Sequence, residues 1–238
     1  MENGRRITVD IVLETIEFVK RKLSGEESGH DWWHIERVYS NSLQIMNETN
    51  EVVNKEVVEL ASLLHDIADW KFNNGDETVG PRVARKWLES QQAEEDVIEH
   101  VCQIIKDLSF KGAGTKSPMK SIEGQIVQDA DRLDAIGAIG IARAFAYGGY
   151  KGQELFNRAI EPNLNQTAEQ YKSQRTTTIN HFFEKLLLLK DRMNTPAAIK
   201  IANERHQYMI NFLDNFLREN NGEESVHYKI LSSYKEKS

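Results

Sequence analysis

Cysteine is almost absent: Cys102 is the single one in 238 residues. No intramolecular disulfide can form, which excludes a secreted disulfide scaffold. Proline is scarce as well, with only Pro81, Pro118, Pro162 and Pro196 available to interrupt helices. Long apolar runs are missing. The longest uncharged apolar stretch, Ala135 to Ala142, has eight residues and two glycines, against the roughly 20 residues that span a bilayer. An excess of positive charge is also lacking. Thirty basic against 37 acidic residues leave −7, which argues against holding long nucleic acid by charge alone. A small phosphorylated ligand held by a local cluster stays open. The opening MENGRRITVD has two arginines but no apolar segment after them, so it does not read as a signal peptide and a cytoplasmic protein is expected. What is present is a soluble globular composition, 39% hydrophobic and 28% charged. A chain of this size buries roughly three quarters of its unfolded surface.

Apolar residues recur at helical rather than alternating spacing nearly throughout, which predicts an all-α fold. Ile11, Thr15, Ile16, Val19 and Leu23 form one stripe ending at Gly25, and Ile35, Val38, Tyr39, Leu43 and Met46 a second. A third segment, from about Asn54 to Ala68, is apolar almost all round and reads as a central buried helix. Pro81 is expected to start a fourth helix, and Val97, Ile98, Val101, Ile104, Ile105 and Leu108 mark a fifth. The segment from Ser109 to Lys120, with Gly112, Gly114, Pro118 and three lysines, reads as a basic loop. A sixth helix carries Ile126, Val127, Ala130, Leu133 and Ile136 and is expected to run into AIGAIGIARAFA, where Gly137 and Gly140 permit close approach. Tyr147 to Gln166 reads as a surface excursion. Two long C-terminal helices are expected over 176–193 and 196–220, the second with Thr195 as cap and Pro196 in its first turn. The tail after Gly222 is expected to fray. There is no repeat and no linker signal, so residues 1–238 are read as one domain with its core at about 10–220.

His and Asp residues stand where the helical pattern calls for apolar ones. The third helix ends LLHDIADW, which places His65 and Asp66 in the core, where an unpaired charge is expensive. A divalent cation would offset that, since imidazole nitrogen and carboxylate oxygen both ligate such ions. The plainer alternative is a core histidine hydrogen-bonded to its neighbour. GHDWWHIERV supplies His34 and, three residues on, Arg37, while QDADRLDAIG supplies Asp131 and Asp134. His30 and His34 also have the i, i+4 spacing of a helical zinc pair, although Gly29 places His30 at or before the helix start. Asp69 lies one turn from His65 and Asp66 and is the candidate proton acceptor, or a carboxylate that only orients the ligands. Arg37, Lys71, Lys106 and Lys111 are candidates for substrate phosphates, and His30 for substrate or a bridging water. Asp134 reads as orienting a ligand or pairing with Arg132 or Arg37. His100, and likewise His181, His206 and His227, read as structural or surface, and Trp32, Trp33, Trp70 and Trp87 as packing residues.

The order His34, His65-Asp66, Asp131 resembles the HD-domain metal-dependent phosphohydrolases, whose motif is a His, an adjacent His-Asp pair and a distant Asp. DWWHIERV, LLHDIAD and DADRLDA are each similar to one ligand segment of that family. HDIADWKFNNGDET, LSFKG and the C-terminal HFFEKLLLLKDRMNT are similar to its small stand-alone bacterial hydrolases. The resemblance implies an all-α HD-domain helical bundle with long C-terminal helices. It also implies that His34, His65, Asp66 and Asp131 bind a divalent ion, manganese or magnesium first, with cobalt, nickel, zinc and iron as further ions such a site accepts. The implied activity is hydrolysis of a small nucleotide, foremost as a nucleoside triphosphate pyrophosphohydrolase. A 5′-nucleotidase or signalling-nucleotide phosphodiesterase, and a non-catalytic nucleotide or metal sensor, are the alternatives. No membrane or long nucleic acid is expected as a partner, and nothing in the sequence bears on oligomeric state.

Overall fold

The computed structural model describes residues 10–25, 31–68, 76, 78–108, 119–164 and 176–236. All regular structure among them is helical, and none of these helices is long and apolar enough to cross a membrane. The chain divides into two compact units. The first takes Met1–Leu43, Glu51–Ser109 and Met119–Val127, and the second takes Gln44–Asn50, Phe110–Pro118 and Gln128–Ser238.

The first unit is built on α1 (Ile11–Lys22), most of α2 (Trp32–Asn47), α3 (Lys55–Leu64), α4 (Val79–Ser90) and α5 (Glu95–Asp107). Side-chain caps start them where the sequence offers short polar residues: Asp10 accepts from the N–H of Val12 and Asn54 from that of Val57. α3 is buried on nearly every side, with Val58, Leu60, Ala61, Leu63 and Leu64 fully excluded from solvent. Each buried valine or leucine there contributes about 1.5–3 kcal/mol, and α3 packs on α1 and α5. Trp87 of α4 stacks on Phe18 of α1 at 4.0 Å and donates its indole N–H to Thr15 Oγ1 at 2.8 Å, so it is a packing residue as expected. Trp32 lies under the Lys20 ammonium, whereas Trp33 is 61% exposed.

Two boundaries differ from the periodicity. α3 ends at Leu64 and not at Ala68. In a continuing helix the Ser62 carbonyl would accept from Asp66, but the His65 ring takes that carbonyl at 2.8 Å, and Ile67 N–H falls back to Leu64 O in a tighter turn. α4 begins at Val79, which makes Pro81 its third residue. This costs no hydrogen bond, since the first N–H groups of a helix have no partner within it.

α6 (Ile122–Asp134) crosses from one unit to the other, the division falling between Val127 and Gln128. The second unit continues with α7 (Gly137–Tyr150), α8 (Thr178–Glu184), α9 (Pro196–Glu219) and α10 (Val226–Lys235). α6 does not run into α7: Gly137 sits at φ +77°, a left-handed conformation that ends the helical path. At Gly140 a Cβ would collide with the Ala135 carbonyl, so the missing side chain is what lets the turn close. α7 also extends to Tyr150, four residues into the expected excursion, and residues 151–164 are irregular.

The expectation of a long helix over 176–193 is wrong. α8 is seven residues long, Lys185 leaves helical dihedrals (φ −142°, ψ −59°), and two 3-10 turns follow, Leu186–Leu188 and Lys190–Arg192. Leu186, Leu187 and Leu189 are all buried in this irregular stretch. The frayed tail is corrected too. α10 is capped by Ser225 and buries His227 and Leu231. α9 begins as expected, with Thr195 capping and Pro196 first.

Candidate metal centre

His34 is 1% exposed and sits in the first turn of α2. Asp31, just before the helix, fixes it there by accepting the His34 backbone N–H on Oδ1 at 3.0 Å. The D-x-x-H spacing is an ordinary capping pattern that sequence reading passed over. His65 and Asp66 lie in the turn after α3, half-buried rather than deep in the core.

The His65 ring is oriented by its own helix. Its Nδ1 lies 2.8 Å from the Ser62 carbonyl. A carbonyl only accepts, so Nδ1 carries the proton and the Nε2 lone pair of the neutral ring points away. That Nε2 is 3.3 Å from His34 Nε2, and the two rings meet at 66°. Asp66 Oδ2 is 3.8 Å from the same His34 nitrogen. The three donor atoms lie within 4.8 Å of one another.

The spacing suits a shared ion. Nitrogens held at about 2.1 Å stand about 3.0 Å apart at a right angle and about 3.4 Å apart at the tetrahedral angle. The observed 3.3 Å falls in that range. Two imidazoles and a carboxylate form a donor set for divalent cations, and the cluster fits one.

Arg37 follows His34 by one turn on α2 and is half-buried, while Lys106 is exposed in the last turn of α5. Asp131 is half-buried on α6, in the stretch that belongs to the second unit. His30, Asp69, Lys71, Trp70 and Lys111 lie outside the described residues, as does the expected basic loop apart from Met119 and Lys120. The end of α3 at Leu64 removes the helical reasoning that placed Asp69 one turn from His65.

His100 is half-buried, its Nε2 3.7 Å from Glu123 Oε2, and Glu123 Oε1 accepts the Asn54 N–H at 2.9 Å. The pair ties α5 and α6 to the start of α3, a structural use. His206 and His227 are buried, with His227 Nε2 2.7 Å from Asn180 Oδ1. Asp134, 1% exposed, pairs with Arg143, a partner that spacing did not suggest. Sequence reading also missed Asp129, which is fully buried on α6 and accepts hydrogen bonds from Asn194 and Thr195. Burial raises its carboxyl pKa while these donors oppose the rise. An acid two residues before Asp131 in DADRLDA was visible, but its partners some 65 positions away were not.

Several known proteins are similar to this chain over most of its length. The HD domain family matches over residues 32–136, a span that holds His34, His65, Asp66 and Asp131. YpgQ of Bacillus subtilis is 39% identical over 200 residues, 82% of this chain and 87% of its own. Its crystal structure in complex with ADP has a TM-score of 0.70 and covers 88% of this chain and 94% of that one. A crystal structure of an HD-superfamily hydrolase from Bacillus thuringiensis is 43% identical, with a TM-score of 0.70 over 88% of this chain and 96% of that one. A protein from Lactobacillus plantarum is 34% identical, with a TM-score of 0.76 over 89% and 97%. With this likeness running through most of the chain, and a His-His-Asp cluster where the family motif puts its ligands, the chain belongs to the HD-domain phosphohydrolase family.

Proposed function

We propose that the chain is a metal-dependent nucleoside triphosphate pyrophosphohydrolase, with manganese or magnesium as the working ion and the two units serving one catalytic domain. The observation that carries this reading is the convergence of His34 Nε2, His65 Nε2 and Asp66 Oδ2 within 4.8 Å. The ADP complex of YpgQ supports a nucleotide as ligand. His34, His65 and Asp66 hold the ion, and Asp131 is included as the fourth ligand on the strength of the DADRLDA motif.

When bound, such an ion lowers the pKa of a coordinated water and polarises a phosphoryl oxygen. The chain's residues do the rest. The Ser62 carbonyl holds the Nδ1 proton of His65, which turns its Nε2 toward His34 and the ion. Asp69, retained on its place in the HDIAD sequence pattern alone, is assigned the proton of the attacking water as the new P–O bond forms at the α-phosphorus. The bond from that phosphorus to the bridging oxygen breaks, and pyrophosphate leaves a nucleoside monophosphate behind. Arg37, Lys71, Lys106 and Lys111 neutralise the phosphate chain, Arg37 through its planar fork, and His30 contacts substrate.

The test is a nucleotide panel incubated with manganese or magnesium and resolved by chromatography, with Asp66→Ala as the blank. Pyrophosphate and monophosphate in equal amounts are expected. Free nucleoside and phosphate would instead make the chain a 5′-nucleotidase. Tight nucleotide binding without turnover would make it a sensor.

A further inference from the structure

The second unit holds a cavity of about 240 Å³ that shares no residue with the metal centre. Lys190 and Asp191 of the second 3-10 turn, His206 of α9, and Ser233 and Tyr234 of α10 give it polar groups, while Leu164 and Ile230 are aliphatic. His206 is 3% exposed, and its Nδ1 is buried with no hydrogen-bond partner among the described residues. A buried polar atom in this state is costly and wants a partner from outside the chain. The groups around it are engaged otherwise. Ser233 Oγ donates to the Ile230 carbonyl at 2.7 Å, and Lys190 Nζ lies 3.4 Å from Asp191 Oδ1. Tyr234 meets His206 ring against ring, with centroids 5.8 Å apart and planes tilted at 58°.

We propose that this cavity binds a small organic monocarboxylate, which accepts from the Lys190 ammonium and from His206 Nδ1–H and lays its hydrocarbon body against Leu164, Ile230 and the Tyr234 ring. Charge decides the class of ligand. The Lys190 side chain is 27% exposed against 75% for Asp191, so solvent screens the aspartate more and the sheltered charge is positive. An ion pair so open to water is weak, and the ammonium keeps further N–H groups to donate. Burial, aided by Lys190, lowers His206 from 6.5 to about 4. The ring is therefore neutral at neutral pH and can carry its one proton on Nδ1, where an acceptor would hold it. A phosphate ester needs more than one cation to match its charge, and among the described lining residues Lys190 alone supplies one. Size decides the rest. A cavity of about 150 Å³ accommodates benzene, so this one has room for a carboxylate on a branched chain or single ring. Apolar walls with a few polar groups are the usual make-up of a small-molecule site.

The test is a titration of the full chain with isovalerate and benzoate by ligand-observed NMR, with isovaleramide and inorganic phosphate in parallel. Both carboxylates are expected to bind, the uncharged amide at least about tenfold more weakly than isovalerate, and phosphate no better than the amide. Lys190→Met keeps the length and removes the charge, and should lower benzoate affinity at least about tenfold with helicity by circular dichroism unchanged. In the 15N-labelled parent, benzoate should shift the His206 ring nitrogens and leave the proton on Nδ1, so the proposal stays testable even if Lys190→Met does not fold. Binding by neither carboxylate, equal binding of isovalerate and its amide, parental affinity in Lys190→Met, or His206 nitrogens that do not respond would overturn the site. Phosphate binding tighter than either carboxylate would overturn the ligand class and the proposal with it.

Discussion

His34 and His65 face each other through Nε2 at 3.3 Å, and they do so because each is held from behind. Asp31 accepts the His34 backbone N–H, and the Ser62 carbonyl takes the His65 ring proton. These two contacts fix the pair, with the lone pair of His65 aimed toward His34. Preorganisation of this kind reduces the ordering required when an ion binds.

Removing a ligand should abolish function without unfolding the chain. Asp66→Ala and His65→Ala are expected to lower nucleotide hydrolysis at least about 100-fold, the upper end of what loss of a mere supporting partner costs a metal site. Both side chains are half-buried, so the urea midpoint should move little. Rates near parental in either variant, at saturating manganese, would remove these residues from the centre.

Arg37 should be sensitive to a change that preserves charge. Arg37→Lys keeps one positive charge but loses the planar fork that grips two phosphate oxygens at once. A rise in KM of about tenfold, equivalent to about 1.4 kcal/mol, is expected with kcat changed less. An unchanged KM would assign Arg37 to the scaffold.

Buried histidines should make the fold acid-sensitive. Burial, aided by Lys190, lowers His206 from 6.5 to about 4, and burial, aided by Lys185, lowers His181 to about 3. The unfolded chain therefore binds protons that the folded chain refuses as pH falls from about 6.5 toward 4. Stability is fully present above that window and declines through it, by up to about 1.4 kcal/mol per pH unit for each such histidine. Urea unfolding of the parent and of His206→Gln across pH 4 to 7 checks this: the variant should show the shallower decline, and equal slopes would count against His206.

Space at the α6–α7 turn should be intolerant. Gly140→Ala places a methyl group against the backbone carbonyl of Ala135, which cannot swing aside as a side chain could. A loss of about 1–3 kcal/mol is expected, read from denaturant midpoints. Gly149→Ala is the control, since a Cβ there meets nothing within 4 Å.

Much of this was written locally and could be read locally. Helical periodicity, the caps Asp10, Asn54 and Thr195, Pro196 in a first turn and the all-round apolar α3 are decided within a few residues of where they act. His34, His65 and Asp66 stood out for the same reason, as polar residues breaking an apolar pattern. The errors arose where distant partners override local preference. The segment 176–193 leaves helical dihedrals at Lys185 and breaks into short turns, and the polar tail is ordered because His227 finds Asn180, 47 positions back.

Residue types, their spacing and their periodicity determined by themselves that the chain is helical and that histidines and aspartates occupy positions hydrophobic burial would have filled. Only tertiary structure decided that α3 stops one residue short of His65, that the two Nε2 atoms meet, and that Asp129 is clamped by Asn194 and Thr195. The physical reason is reach. Caps and helical stripes depend on neighbours within one or two turns, whereas a ring's tautomer, a facing nitrogen and the partners of a buried carboxylate are fixed by groups that folding alone brings together.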